Sequence, residues 1–152
     1  MKIIDLIVLK SDILKTVAKT TDYTGKKTES ANENAFHSRV ATETNDEELL
    51  NDFWRDSCAH LAEALRVFIT EDQFGKETLK LTLEVSGSYD EALTPAVENG
   101  VLSFLSADIT ARWFDITYPE KAGEWKTEAG RQLRCLTRNL YHRVKPKRGN
   151  KN

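Results

Sequence analysis

The spacing of apolar positions changes along this chain, and each change marks an element. The sharpest signal lies over 77–85, where Leu79, Leu81, Leu83 and Val85 alternate with Thr78, Lys80, Thr82 and Glu84. A period of two predicts a strand buried on one face. A lone strand leaves its backbone donors and acceptors unpaired, so this one requires a partner. The candidates are Met1–Leu9, which alternates poorly, the region around Phe36–Val40, and a strand from another subunit.

Elsewhere the period is helical. Ser11 is placed to cap a helix over Asp12–Thr21 with Ile13, Leu14, Val17 and Ala18 on one face, and Gly25 closes that region. The clearest helix begins after a cap at Thr44 or Asn45. Asp46, Glu47 and Glu48 crowd its first turn, where the helix dipole favours anions. Leu50, Phe53, Trp54, Cys58, Leu61, Leu65, Phe68 and Ile69 recur at three- and four-residue steps, opposite a charged face. Asp72–Lys76 then reads as a turn. Thr94-Pro95 starts a third helix, which runs to about Thr117 and is apolar over more than a narrow stripe, as a central helix should be. Tyr118-Pro119 separates it from a last helix over Pro119–His142, with Ala122, Trp125, Ala129, Leu133, Leu136, Leu140 and Tyr141 in register. Between the first two helices, residues 26–45 are polar, with Phe36 and Val40 as the large apolar anchors. That length suits a functional or mobile loop.

These elements predict a mainly α chain: a four-helix bundle-like domain over 1–144 with a small β element. Pro146 forbids helix, so 145–152 is expected as a flexible, extended basic C-terminal arm. A length of 152 residues suits one domain with a real core. No apolar run is long enough to span a membrane, and Asp5 interrupts the first apolar stretch, so neither a span nor a signal peptide is expected. Cys58 and Cys135 fall in helical patterns and are expected as buried free thiols.

Charge changes the picture more than composition does. Residues 131–152 hold eight Lys/Arg and no Asp or Glu, which leaves 14 basic against 24 acidic residues in 1–130. A total of −2 therefore joins a body of −10 to a tail of +8. Three readings fit the tail: a solvated helix end, a nucleic-acid contact, or an arm that docks into an acidic groove on another protein. The acidic body disfavours the second, since it repels the same polyanion.

Catalytic chemistry has no anchor in the sequence. His37, His60 and His142 are scattered, so no metal site is expected. No Gly-x-Ser-x-Gly elbow or Gly-rich phosphate loop occurs, and Ser86-Gly87-Ser88 reads as an ordinary turn. No enzyme activity and no cofactor are expected. The pairs Phe53-Trp54 and Trp113-Phe114, with Trp125, read as core. Because adjacent residues on a helix face different ways, at least one of each pair is a candidate for a subunit interface.

The run from Ala111 to Ala122 (ARWFDITYPEKA), the run from Leu140 to Arg148 (LYHRVKPKR) and the stretch from Asp46 to Trp54 resemble small proteins of phages and prophages of gut Bacteroidetes. The order of elements over Asp46–Arg148 resembles the head–tail connector (adaptor) proteins of tailed bacteriophages. The resemblance implies a helical virion structural protein that forms a homo-oligomeric ring under the portal, with a C-terminal arm on the portal protein. It implies neighbouring tail and connector proteins as further partners, and DNA that passes through the conduit without specific binding. Its implied location is the virion, and the host cytoplasm during assembly. Arg138, Tyr141, Arg143, Lys145, Lys147 and Arg148 are the expected docking residues. The alternative is a soluble nucleic-acid-binding or regulatory module that uses the same tail.

Overall fold

The computed structural model describes residues 1–27, 42 and 46–148. Among the described residues, four α-helices, a short 3-10 turn at Glu91–Leu93 and a three-stranded antiparallel sheet make up a mainly helical structure. In chain order these are β1 (Lys2–Leu9), α1 (Lys10–Lys27), α2 (Glu47–Ala64), β2 (Ile69–Phe74), β3 (Thr78–Val85), α3 (Thr94–Thr117) and α4 (Pro119–Tyr141).

The partner that the alternating strand requires lies within the chain. β3 is the middle strand, with β1 on one side and β2 on the other. Lys2 stands opposite Val85 and Leu9 opposite Thr78. This register puts Ile4, Leu6 and Val8 on the same buried face as Leu79, Leu81, Leu83 and Val85. On the outer face the Thr82 hydroxyl donates to Asp5 Oδ1 at 2.9 Å, across a directly opposed pair. The poor alternation of Met1–Leu9 has a plain cause: Ile3, Ile7 and Leu9 are apolar but face outward and are exposed.

Two expectations are corrected here. The second helix stops at Ala64, not at Ile69. The chain turns through Leu65–Phe68, where Leu65 and Phe68 are buried, and Ile69 opens a strand. Apolar spacing continued past the helix end because the turn itself is part of the core. Most of Asp72–Lys76, read as a turn, is likewise strand up to Phe74. Gly75 then makes the tight reversal. Its N–H donates to the Thr78 carbonyl at 2.8 Å, and a Cβ there would stand 3.0 Å from the same oxygen.

β1 runs straight into α1, which therefore starts at Lys10 rather than after a Ser11 cap. It passes through the buried Gly25 to Lys27, so the first two residues of the predicted 26–45 loop are helical. Apart from these and Thr42, that loop lies outside the described residues, and so do Phe36, His37 and Val40. The Thr42 N–H donates to Thr21 Oγ1 at 3.2 Å.

α3 is the central helix, as its apolar girth predicts. It packs against α4, α2 and α1. Gly100 lies against Leu136, and Asp115 pairs with Lys126, so α3 and α4 run antiparallel across the single connecting residue Tyr118. A Cβ on Gly100 would meet Leu136 Cδ1 at 3.4 Å. The glycine costs about 1 kcal/mol of helix propensity relative to alanine and lets the two helices approach closely. Walls on several sides also explain Trp113-Phe114. Both rings are buried, so neither reaches outward to a subunit interface. In the other pair Trp54 is buried and Phe53 is partly buried against the core. Ile4, Val17, Cys58, Leu83, Phe104 and Leu140, from six different elements, share one hydrophobic cluster.

Candidate functional site: the basic C-terminal surface

The last two turns of α4 and the segment after it carry the predicted docking residues. Tyr141 ends the helix, and His142 takes an extended conformation with ψ of 135°. The chain does not leave the surface at that point. The Asp90 N–H donates to the His142 carbonyl at 3.3 Å, and the Val144 N–H donates to the Ser88 carbonyl at 2.8 Å. Arg143 and Tyr89 thereby form an antiparallel bridge. Tyr89 is itself a firm base. It is buried, its hydroxyl lies 3.3 Å from Thr94 Oγ1, and its carbonyl accepts from Lys2 Nζ at 3.1 Å.

The structure thus joins Arg143 to the body by backbone bonds. Tyr141 packs edge-on against Phe68, with ring centroids 4.8 Å apart, while much of its ring stays in water. Arg138 reaches Cys135 Sγ at 3.8 Å. Lys145, Lys147 and Arg148 are exposed and carry neither helix nor strand. Gly149–Asn152, with Lys151, lie outside the described residues.

One basic residue of this region is already engaged. Arg131 forms a two-pronged contact with Glu128, Nη2 to Oε1 at 2.6 Å and Nε to Oε2 at 2.9 Å. Among the described residues, the lysines and arginines with carboxylate partners are Lys2, Lys10, Arg55, Arg112, Lys121, Lys126 and Arg131. Arg134, Arg138, Arg143, Lys145, Lys147 and Arg148 are not among them. The site is therefore a row of uncompensated cations at the end of an acidic body.

The Glu128 contact makes a checkable mark. The Arg131 guanidinium, and after it the Gln132 amide, hold the Glu128 carboxyl down at about 2, from an ordinary 4.5. A depressed carboxyl contributes stability that is fully present above its unfolded value and is lost as pH falls through the folded one. The window here runs from about 4.5 down to about 2. The pair is exposed and salt-screened, so its effect on stability is small. NMR titration is expected to show the Glu128 carboxyl ionising near 2, and to return toward 4.5 in Arg131→Gln.

Two further clusters escape a reading of the sequence. Asp108 is nearly buried on α3. It accepts from Ser57 Oγ at 2.6 Å and from Arg112 Nε at 3.1 Å, and His60 Nδ1 lies 3.5 Å from its other oxygen. Serine, histidine and aspartate meet here, but both partners approach the aspartate and no Ser–His bond is present. A nucleophile needs its base beside it, so this cluster pins α2 to α3 and is not a triad. Lys10 is the second case. Its ammonium is buried at the β1–α1 junction, beside a cavity of about 490 Å³. The only signal for it in the sequence is a lysine that follows an apolar run.

The Cys58 thiol offers no nucleophile either. Burial pushes Cys58 up to about 12, which keeps it protonated at neutral pH. Cys135 is free and only partly buried, a departure from the expectation that both are buried. Among the described residues no three His, Cys, Asp or Glu side chains group as metal ligands, and no helix is long and apolar enough to cross a membrane.

No protein-family model, curated protein or solved structure matches this chain.

Proposed function

We propose that this chain is a structural connector of a tailed-phage head–tail assembly, docking on the portal protein through its basic C-terminal surface. The observation that carries the reading is the row of exposed cations without carboxylate partners, joined by backbone bonds to the buried Tyr89 segment. A docking element joined to its body loses less conformational freedom on binding than a free peptide does. In this reading the four helices act as a bundle-like body, and Arg143–Arg148 act as the arm. Tyr141, half in water beside Arg138 and Arg143, is the aromatic anchor of the contact.

Each surface ion pair contributes about 0–1 kcal/mol. A ring of subunits repeats the contact, and repetition turns weak pairs into stable attachment. The acidic body suits a DNA conduit, because a wall of like charge lets the polyanion pass without holding it. Neighbouring connector and tail proteins are the further partners in this reading, and the virion is the location.

The test is sedimentation of the full chain with the portal complex. The full chain is expected to co-sediment, and a chain ended after Val144 is expected to lose at least about tenfold in affinity, or ~1.4 kcal/mol. Undiminished binding by the shortened chain overturns the proposal. Tight binding of duplex DNA that weakens steeply with salt also overturns it, in favour of a nucleic-acid-binding module.

A further inference from the structure

The β1–α1 junction holds an ionic group where a fold has no need of one. The Lys10 side chain is only 7% exposed. Its Nζ donates to Asn51 Oδ1 at 2.7 Å and to Glu77 Oε1 at 3.1 Å. The backbone already ties this junction to the β2–β3 turn, because the Lys10 N–H donates to the Glu77 carbonyl at 2.9 Å. The ammonium is therefore not required to hold the two together. An apolar residue of similar length is commonly as stable at such a place.

The compensation of that charge is also incomplete. Glu77 is 73% exposed, so its carboxylate stays in water and neutralises the buried ammonium weakly. An ammonium has three donors. Two are used here, which leaves one uncommitted among the described residues.

The space beside Lys10 is large enough to use it. The cavity of about 490 Å³ is formed by α2, the β2–β3 turn and Lys10. Small-molecule sites commonly measure about 300–1,000 Å³. Phe74 gives it an apolar wall on the edge strand, with about half its surface in water, while Trp54 reaches the lining from the core and is only 3% exposed. Arg55 and Lys76 add two cations to the lining, against Asp52 and Glu77 as anions. Arg55 is 70% exposed, and its ion pairs with Asp52 and Asp56 are long, at 3.5 and 3.6 Å, so they hold its guanidinium only weakly.

We infer that this cavity is a binding site for a small anion carried on a planar ring, its carboxylate or phosphate received by Lys10 and its ring set against the half-exposed Phe74. Lys10 supplies the buried, pre-positioned charge. Arg55 and Lys76 supply the outer donors. The exposed face of Phe74 supplies apolar contact that inorganic anions cannot use. The site lies on different residues from the C-terminal surface, so it stands or falls independently of the portal reading.

The test is NMR titration of the full chain with two probes that separate the anion sources: indole-3-acetate as a ring carboxylate and adenosine monophosphate as a ring phosphate. One or both are expected to shift the amides of Asn51, Phe74, Lys76 and Glu77. The neutral indole-3-acetamide is expected to shift them about tenfold more weakly at equal concentration. Lys10→Met is expected to weaken binding about tenfold, and Phe74→Ala about fivefold. Lys80→Ala, on the outer face of β3, is expected to leave it unchanged. Phe74 is half exposed, so its variant keeps the test valid if Lys10→Met does not fold. Absence of shifts with both probes at millimolar concentration overturns the inference. So does equal binding of the amide and the acid.

Discussion

Phe104→Ala is expected to destabilise the protein by about 3–5 kcal/mol, the usual cost of emptying a buried phenylalanine site. Phe104 has no exposed surface and sits on α3, the helix that α1, α2 and α4 all touch. Its ring meets the His60 imidazole edge-on at 5.3 Å, so the cavity opens at the α2–α3 contact. Collapse around it is restricted, because moving α3 toward α2 draws it away from α4 and from the close approach at Gly100. Domains of this size have about 5–15 kcal/mol in total, so the loss takes about a fifth or more of the reserve. Urea unfolding followed by tryptophan fluorescence measures it. A loss below about 1 kcal/mol would show that the α2–α3 contact is not packed as described. Phe53→Ala, at a partly buried position of α2, is expected to cost distinctly less.

Asp108→Ala is the second large effect, expected at about 2–3 kcal/mol by a different route. Little apolar area is lost. The cost comes from the fully buried Ser57 hydroxyl, which loses its acceptor and finds no water. An orphaned buried donor costs about 1–3 kcal/mol, and the lost charge-assisted bond from Arg112 adds to it. Asp108→Asn keeps an oxygen for Ser57 and is expected to lose about half as much. The decisive comparison is the double variant Ser57→Ala/Asp108→Ala. If the hydroxyl is the source of the cost, the double variant is more stable than the sum of the two single losses predicts. Strict additivity would sink this account.

The elements legible in the sequence were those with one wet and one dry face. β3 alternates cleanly because its outer face carries Thr, Lys and Glu. α3 announced itself by being apolar nearly all round, and Pro95 and Tyr118-Pro119 marked its ends. β2 was not legible. Its sequence ITEDQF is exposed at every position after Ile69, so hydrophobic patterning has nothing to report, and its place is fixed by backbone pairing with β3. The end of α2 was missed for the opposite reason, since Leu65 and Phe68 are buried in a turn. The C-terminal surface was visible as charge, but its bridge to Ser88–Asp90 was not, because backbone pairing leaves no trace in side-chain composition. Lys10 became a candidate only when folding brought Asn51 and Glu77 to it from distant parts of the chain.

The strand order has a consequence for how the chain reaches its native state. β2 and β3 are joined by a tight turn at Gly75 and can zip together at once. β1 must instead wait for β3, since Lys2 pairs with Val85 across most of the intervening chain, including α1 and α2. Closing so long a loop is entropically costly before any ladder bond rewards it. The sheet therefore completes late, after the hairpin and the local helices. Until then β1 is an apolar strand with both edges open, and crowding during synthesis is the condition under which this chain is most prone to pair with the wrong partner.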